Sequence, residues 1–417
     1  MEGKQNFSVN VNSEIGELEA VIIHSMGSEV ENMTPENAER ALYSDILNLS
    51  VAKEEYSSFR NVLRKTTKVF EVKDLLTDVL KNGNVKKELL DKVRQSCRFS
   101  NTLDYIYDLA PEELSKILIE GVVLTRDNLT RFLTNQRFAM RPLHNFFFTR
   151  DSSISIQNEV LIGRMASQVR EREAQIMETI FTHSPIFNTQ TFHIEDDAKA
   201  DIKIEGGDVL IGGEDLLVIG ISARTSTEGI DKIIKNFKKR GVKKHIIVQE
   251  LPTDRESFIH LDMVFTFLNH DECMVYEPVI MQPNRFRTIH IETDNGKVKI
   301  NEEKNILECL KKIGRDVKPI YCGGTADLWT QEREQWHSGA NFFALAPGKV
   351  MGYSRNVHTI EELNKNGYEI IAAADIASDK INIQDSKKCV ITIDGSELSR
   401  GGGGARCMTM PVRRKDL

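Results

Sequence analysis

Three segments of this chain repeat one plan at nearly constant spacing: an apolar strand, a short polar turn, then a second apolar strand. "SSISIQNEVLIG" (152–163) carries its turn at Gln157, Asn158 and Glu159. "DVLIGGEDLLVIGIS" (208–222) turns at Gly212 and Gly213, and "MVFTFLNHDECMVYEP" (263–278) at Asn269, His270 and Asp271. Polar or glycine-bearing turns between apolar runs are hairpin signals. The hairpins begin near 152, 208 and 263, in steps of 56 and 55 residues. A fourth, "NFFALAPGKVMGYS" (341–354), turns through Pro347 and Gly348. A fixed period of this length predicts an internal repeat, with strands and helices arranged around an axis.

Helical patterns fill the intervals. In "TSTEGIDKIIKNFKKRG", Ile230, Ile233, Ile234 and Phe237 follow the i, i+3, i+4, i+7 spacing of one helix face. Thr225 with Glu228 reads as a capping box, and Gly241 as the stop. "EEKNILECLKKIG" repeats the pattern with Ile306, Leu310 and Ile313, and puts Cys309 on the apolar stripe as a buried, inert thiol. Residues 73–140 depart from the plan. "DLLTDVLKNGNVKKELLDKVRQS" and "APEELSKILIEG" are helical, the latter with Pro111 near its start and Gly121 as its stop. The predicted organisation is an α/β repeat domain over 1–72, a small all-helical insertion over 73–140, and the remainder of the repeat domain over 141–417.

Composition narrows the class of partner. The 417 residues are 40% hydrophobic and 28% charged, with a net charge of −7, which argues against nucleic acid as the main partner. The basic run at 235–245 suits a helix C-terminus. The N-terminus lacks an apolar signal core, and no stretch approaches the roughly 18 apolar residues of a membrane span. Six cysteines (97, 273, 309, 322, 389, 407) form no CxxC pair, so free thiols in a reducing cytoplasm are expected and zinc is not.

Polar residues recur just ahead of the hairpins. Asp151 ends "FTRD", Glu205 opens "EGGD", and His260 and Asp262 make up "HLD". If the hairpins are equivalent units, the entries of their first strands meet at one end of the axis. Near the C-terminus, "RGGGGARCMTMP" (400–411) leads four glycines into Cys407. A run of glycines costs backbone entropy and belongs where the chain moves or approaches something closely. Cys407 would reach the same end on that loop. Taken singly, an Asp before a strand is more often a turn residue than a ligand; recurrence at one structural position changes the balance.

The chemistry of such a cluster is restricted. A thiolate is the nucleophile, and neighbouring carboxylates disfavour it. The site becomes sensible when the substrate brings positive charge. A guanidinium is planar and permanently cationic, and carboxylates grip it with paired hydrogen bonds. Cys322 in "YCGGT" is the second candidate thiol, without an accompanying acid or base. His337 is assigned no chemistry, and Asp208 is assigned to the local loop.

At these residues the sequence resembles the arginine deiminase family of the guanidino-group-modifying superfamily. The likeness runs nearly end to end. It includes "VNSEIGELEAVIIHSMGSEVENMTPEN", "NFFFTRD", "IEGGDVLIG", "GISART", "HLDMVFT", "REQWHSGANFFALAPG" and "RGGGGARCMTMP". The resemblance implies a five-bladed α/β-propeller (pentein) with pseudo-fivefold repeats and an inserted helical-bundle domain. It implies hydrolysis of L-arginine to L-citrulline and ammonia without metal or organic cofactor, through an S-alkylthiouronium on Cys407. Asp151 and Asp262 match the aspartates that clasp the guanidinium. His260 matches the proton shuttle, and Glu205 the carboxylate that supports it. Asn145, Arg170 and Arg224 match the residues that bind the α-carboxylate and α-amine. The family commonly forms dimers or larger assemblies. One departure is Gly402, where many relatives carry a substrate-binding arginine. It implies weaker affinity or a more mobile loop, with Arg400 and Arg406 as the candidates to compensate. Rival readings are an amidinotransferase, a modified-arginine hydrolase, or a non-catalytic arginine-binding protein.

Overall fold

The recurrent hairpins belong to four of the five β-sheets that share one strand pattern among the described residues. The computed structural model describes residues 7–34, 43, 45–194, 201–325 and 327–417. The first six residues, and residues 35–37 of the motif near the N-terminus, lie outside the described residues. Numbering the strands of the five sheets in chain order, β1 is Leu18–Ile23, β2 Lys68–Glu71, β3 Ser153–Ile156, β4 Glu159–Ile162 and β5 Gln190–Phe192. Next come β6 Val209–Gly213, β7 Leu216–Ile221, β8 Lys244–Glu250, β9 Phe265–Asn269, β10 Glu272–Val275, β11 Thr288–Asp294 and β12 Lys297–Glu303. The last are β13 Lys318–Tyr321, β14 Phe343–Ala346, β15 Lys349–Tyr353, β16 Glu369–Ala372, β17 Cys389–Ile393 and β18 Met410–Arg414.

In every unit a first strand runs antiparallel to a second, and the second runs parallel to a third. The sets are β3-β4-β5, β6-β7-β8, β9-β10-β13, β14-β15-β17 and β18-β1-β2. A tight turn suffices for the antiparallel step, whereas the parallel step needs a crossover. Helices Glu171–His183, Thr227–Arg240, Ile306–Lys312, Val357–Lys365 and Leu49–Thr66 lie in those crossovers. Two sheets are wider: β11 and β12 extend the second, and β16 pairs with β17 in the fourth. The fifth unit has no hairpin. It joins the C-terminal strand β18 to the N-terminal strand β1, pairing Ile22 with Met410.

Local details differ from the sequence expectations in three places. Gly213 ends strand β6 with a register shift between Ile211 and Gly213, so the turn falls on Glu214 and Asp215. The glycines leave room for Arg315, whose guanidinium donates to the Gly212 carbonyl at 3.0 Å. The N-cap of helix Thr227–Arg240 is Ser226, which accepts from the Gly229 N–H. Thr225 instead accepts the Glu205 backbone N–H at 3.2 Å. The 73–140 segment is not purely helical, because Val122–Val123 pairs with Phe138–Met140.

Helices Val72–Leu80, Gly83–Gln95 and Pro111–Glu120 share one apolar core with Ile176, Met177 and Ile180 of helix Glu171–His183. Gly121 closes the last of them at φ +82°, a conformation only glycine adopts without strain. Among the described residues, no helix is long and apolar enough to cross a membrane.

The joint between the chain ends is testable. Ile22 is fully buried beside Met410, so Ile22→Ala is expected to lower the unfolding free energy by about 2–5 kcal/mol. Ile370, 47% exposed on β16, is the control, and Ile370→Ala should change stability by no more than about 0.5 kcal/mol. Equal effects in urea denaturation would contradict this packing.

Candidate active site

Each of the five units contributes a polar side chain or thiol near the entry of its first strand. Asp151 precedes β3 by two residues, and Glu205 precedes the 3₁₀ turn Gly206–Asp208 that opens β6. His260 precedes, and Asp262 lies within, the 3₁₀ turn Leu261–Met263 before β9. Asn341 precedes β14 by two residues, and Cys407 precedes β18 by three. Backbone bonds stitch neighbouring entries together: Gly206 N–H donates to the Asp151 carbonyl at 3.0 Å, and Arg150 N–H to the Cys407 carbonyl at 3.1 Å.

All these side chains are buried. His260 Nε2 lies 3.0 Å from Glu205 Oε2, and its Nδ1 lies 3.7 Å from Asp151 Oδ1. The Cys407 thiol sits 3.6 Å from Asp262 Oδ2 and accepts a hydrogen bond from Asn341 Nδ2 at 3.2 Å. Cys407, Asp151, His260, Asn145, Arg170 and Arg224 line one small hollow, closed on another side by Gly401, Gly402 and Gly403. Its free space is about 10 Å³, room for a single water. A second hollow shares Asn145, Arg170 and Arg224 with it. Wider grooves lie elsewhere on the surface, but no comparable set of buried ionisable groups lines them.

The aspartates are held in an asymmetric way. Arg170 Nη1 donates to Asp151 Oδ2 at 2.8 Å, and Arg406 Nη1 donates to Asp262 Oδ2 at 2.8 Å. The other oxygens, Asp151 Oδ1 and Asp262 Oδ1, are buried and accept no hydrogen bond from any described residue. A buried carboxylate oxygen without a donor carries the full cost of its lost hydration. Both oxygens therefore need donors that the described residues do not supply.

Charge follows from this packing. Burial opposes ionisation of Glu205, but Arg224, His260 and Arg170 hold its carboxyl well below the usual range. Burial would lower His260, yet Asp151 and the hydrogen bond to Glu205 outweigh it and raise it to about 9. The imidazole is thus protonated at neutral pH. Burial, then Asp262 and Asp151, push the Cys407 thiol well up. The resting pair is a neutral thiol and an imidazolium.

The glycines before Cys407 are explained by close approach. A Cβ on Gly403 would lie 2.6 Å from the Phe148 ring and 3.0 Å from Cys407 Cβ. A Cβ on Gly404 would lie 2.7 Å from Asn341 Oδ1. Gly402 adopts φ +82°. Neither Arg400 nor Arg406 takes the place of the arginine missing at Gly402. Arg400 points to Asp45, and Arg406 is buried between Glu14, at 3.0 Å, and Asp262.

Several contributors escaped the sequence reading. Asn341 stands ahead of the fourth hairpin, where the same rule that selected Asp151 and His260 selects it. Arg406 and Glu14 form a buried ion pair between the two chain ends, which no local pattern signals. Asp208, which the sequence assigned to the local loop, accepts the Leu261 N–H at 2.8 Å and so fixes the backbone beside His260; burial raises its carboxyl to about 7. Cys322 is buried against Thr359, its thiol pushed up by that burial, outside the cluster. His337 accepts from Arg355 away from the site.

Five like α/β sheets and a buried thiol facing carboxylates define an enzyme of the pentein, guanidine-modifying class. A family model described as arginine deiminase matches residues 39–414. The arginine deiminase of Bacillus cereus (strain ATCC 10987 / NRS 248) is 32% identical over 98% of this chain and 99% of its own length. That of Borrelia recurrentis (strain A1) is 34% identical over 98% of each. The chain belongs to the arginine deiminase family. Solved structures with the same fold include an amidinotransferase of Microseira wollei, at TM-score 0.54 and 14% identity over 99% of this chain and 98% of that one. Dimethylarginine dimethylaminohydrolase from Pseudomonas aeruginosa aligns at TM-score 0.52 and 14% identity, over 94% of this chain and 99% of that one.

The raised thiol has a measurable consequence. The alkylation rate of Cys407 by iodoacetamide, followed on its own peptide by mass spectrometry, should rise with pH through a midpoint above the ordinary ~8.5 of cysteine. A midpoint below that value would contradict the electrostatics of the site.

Proposed function

We propose that the protein hydrolyses L-arginine to L-citrulline and ammonia at Cys407. The observation that carries this reading is the pair of donor-less oxygens on Asp151 and Asp262 beside the thiol. A guanidinium supplies N–H donors to both, and its positive charge offsets theirs. That charge also stabilises the thiolate, which is otherwise disfavoured here. The Cys407 S–H proton leaves to solvent as the cation binds, and the thiolate sulfur then attacks the guanidinium carbon. His260, already an imidazolium, gives its proton to the departing nitrogen, which leaves as ammonia. A water takes that place, neutral His260 accepts its proton, and the C–S bond of the thiouronium breaks to give citrulline. Glu205, hydrogen-bonded to His260, stabilises the protonated ring through both halves. Side chains provide the nucleophile, acid and base, so the route calls for no cofactor.

For the amino-acid end we assign the second hollow. Arg224 is buried there with its Nε bonded to none of the described residues, suited to a carboxylate. Asn145 lines both hollows. Arg170 is also bonded to Asp151 and Glu173, so it orients Asp151 while its charge faces the substrate. Because the free space beside Cys407 is far smaller than arginine, the 401–403 loop moves to admit substrate. The same reading takes the five units as blades of a propeller, the 73–140 segment as its insertion, the cytoplasm as its place, and a homodimer or larger homo-oligomer as its form.

Water as the acceptor separates this reading from amidino transfer. Free arginine without any amine acceptor should yield citrulline and ammonia, and acid-quenched protein should carry a covalent adduct on Cys407. Cys407→Ser should abolish both. The proton that His260 donates is present below its raised pKa and lost above it. Thiolate formation makes kcat/KM climb with pH at first, and loss of the His260 proton should stop that climb at about 9. A profile that keeps climbing through that range would remove His260 from the acid role.

A further inference from the structure

A second cluster of metal-binding groups lies on the other edge of the sheet that begins at Glu205. Strand order there is β6-β7-β8-β11-β12, so β12 is the edge opposite β6. In the β8/β11 register Ile247 faces His290, which places His245, two residues earlier, on the same face as His290. In the β11/β12 register His290 faces Asn301, which places Glu303 on that face as well. Helix Ile306–Lys312 packs over β8 and β12 and buries Cys309 beneath it. The outcome is a convergence: one ligand atom each from His290, Glu303 and Cys309 lie within 4.8 Å of one another. His245 Nδ1 stands 3.0 Å from His290 Nε2, with the two rings stacked.

We propose that His290, Glu303 and Cys309, joined by His245, form a site for a divalent transition metal of the zinc class. The donor set of one sulfur, two imidazoles and one carboxylate matches the borderline-soft preference of that ion and its four-coordinate geometry. The ligand atoms of His290, Glu303 and Cys309 need shifts of only about an ångström to meet metal–ligand distances of roughly 2.0–2.3 Å, and His245 joins by exchanging its hydrogen bond to His290 for the metal. Lys312 pairs with Oε2 of Glu303 and partly balances its charge. Binding exchanges the Cys309 S–H bond for an S–metal bond and releases the proton to solvent. The metal would pin the β11–β12 hairpin to its helix. The ligands come from three strands and a helix, so no linear zinc motif precedes them in the sequence.

Cobalt(II) titrated into the full chain under reducing conditions tests this, because thiolate-to-cobalt absorption in the near ultraviolet reports a sulfur ligand. The expected result is a saturable band at one equivalent that persists in Cys407→Ser and disappears in Cys309→Ser. His290→Gln lies on a half-buried strand position, and circular dichroism verifies its fold. It should weaken binding by at least the roughly 10–100-fold that loss of a supporting metal-site group costs. Three results would each overturn the proposal: no thiolate band, a band lost in Cys407→Ser but kept in Cys309→Ser, or affinity unchanged by His290→Gln. The second would place the ion in the catalytic cluster, where Asp151, Glu205 and His260 also converge.

Discussion

Two buried aspartates, each bonded to an arginine through one oxygen and left without a donor among the described residues on the other, set the character of this site. Arg170 holds Asp151 and Arg406 holds Asp262, both at 2.8 Å. The arginines fix which oxygen of each carboxylate is left over. The leftover oxygens are costly while the site is empty and become favourable when a planar cation donates to both. The same negative field that recognises the cation also keeps the thiol protonated until it arrives. Recognition and activation are thus one electrostatic event.

The fold brings these charges together by repetition. Five antiparallel–parallel units each present the entry of a first strand, and the side chains ahead of those strands supply Asp151, Glu205, His260 with Asp262, Asn341 and Cys407. No single unit could hold such a density of buried charge. Cross-unit partners make it tolerable: His260 to Glu205, Arg406 to Asp262, and Asn341 between Asp262 and Cys407. The glycine run lets the backbone pass close to Phe148 and Asn341, and it leaves the wall beside Cys407 free of side chains that would block motion.

Much of this was legible in the chain itself. The hairpin period marked the units, and the residues ahead of three hairpins marked the acid and base groups. Asn341 was legible by the same rule but lacks a charge to draw notice. The fifth unit was hidden because β18 and β1 come from opposite ends of the chain, with no turn to announce them. Arg406 and Glu14 were hidden for the same reason. Thr225 illustrates a different limit: beside a helix start, the local pattern offers a capping role, yet the tertiary structure turns the hydroxyl to the Glu205 backbone while Ser226 caps. Short-range pattern reveals periodic elements, whereas contacts between distant units decide which polar groups meet.

The central claim is that cationic charge, not shape alone, completes the site. Calorimetric titration of the Cys407→Ser protein with arginine and with citrulline, which differ mainly in that charge, measures it directly. The account predicts that arginine binds more tightly by a factor of roughly 100 or more, the scale of two charge-assisted hydrogen bonds. Equal affinities for the charged and the neutral molecule would contradict it.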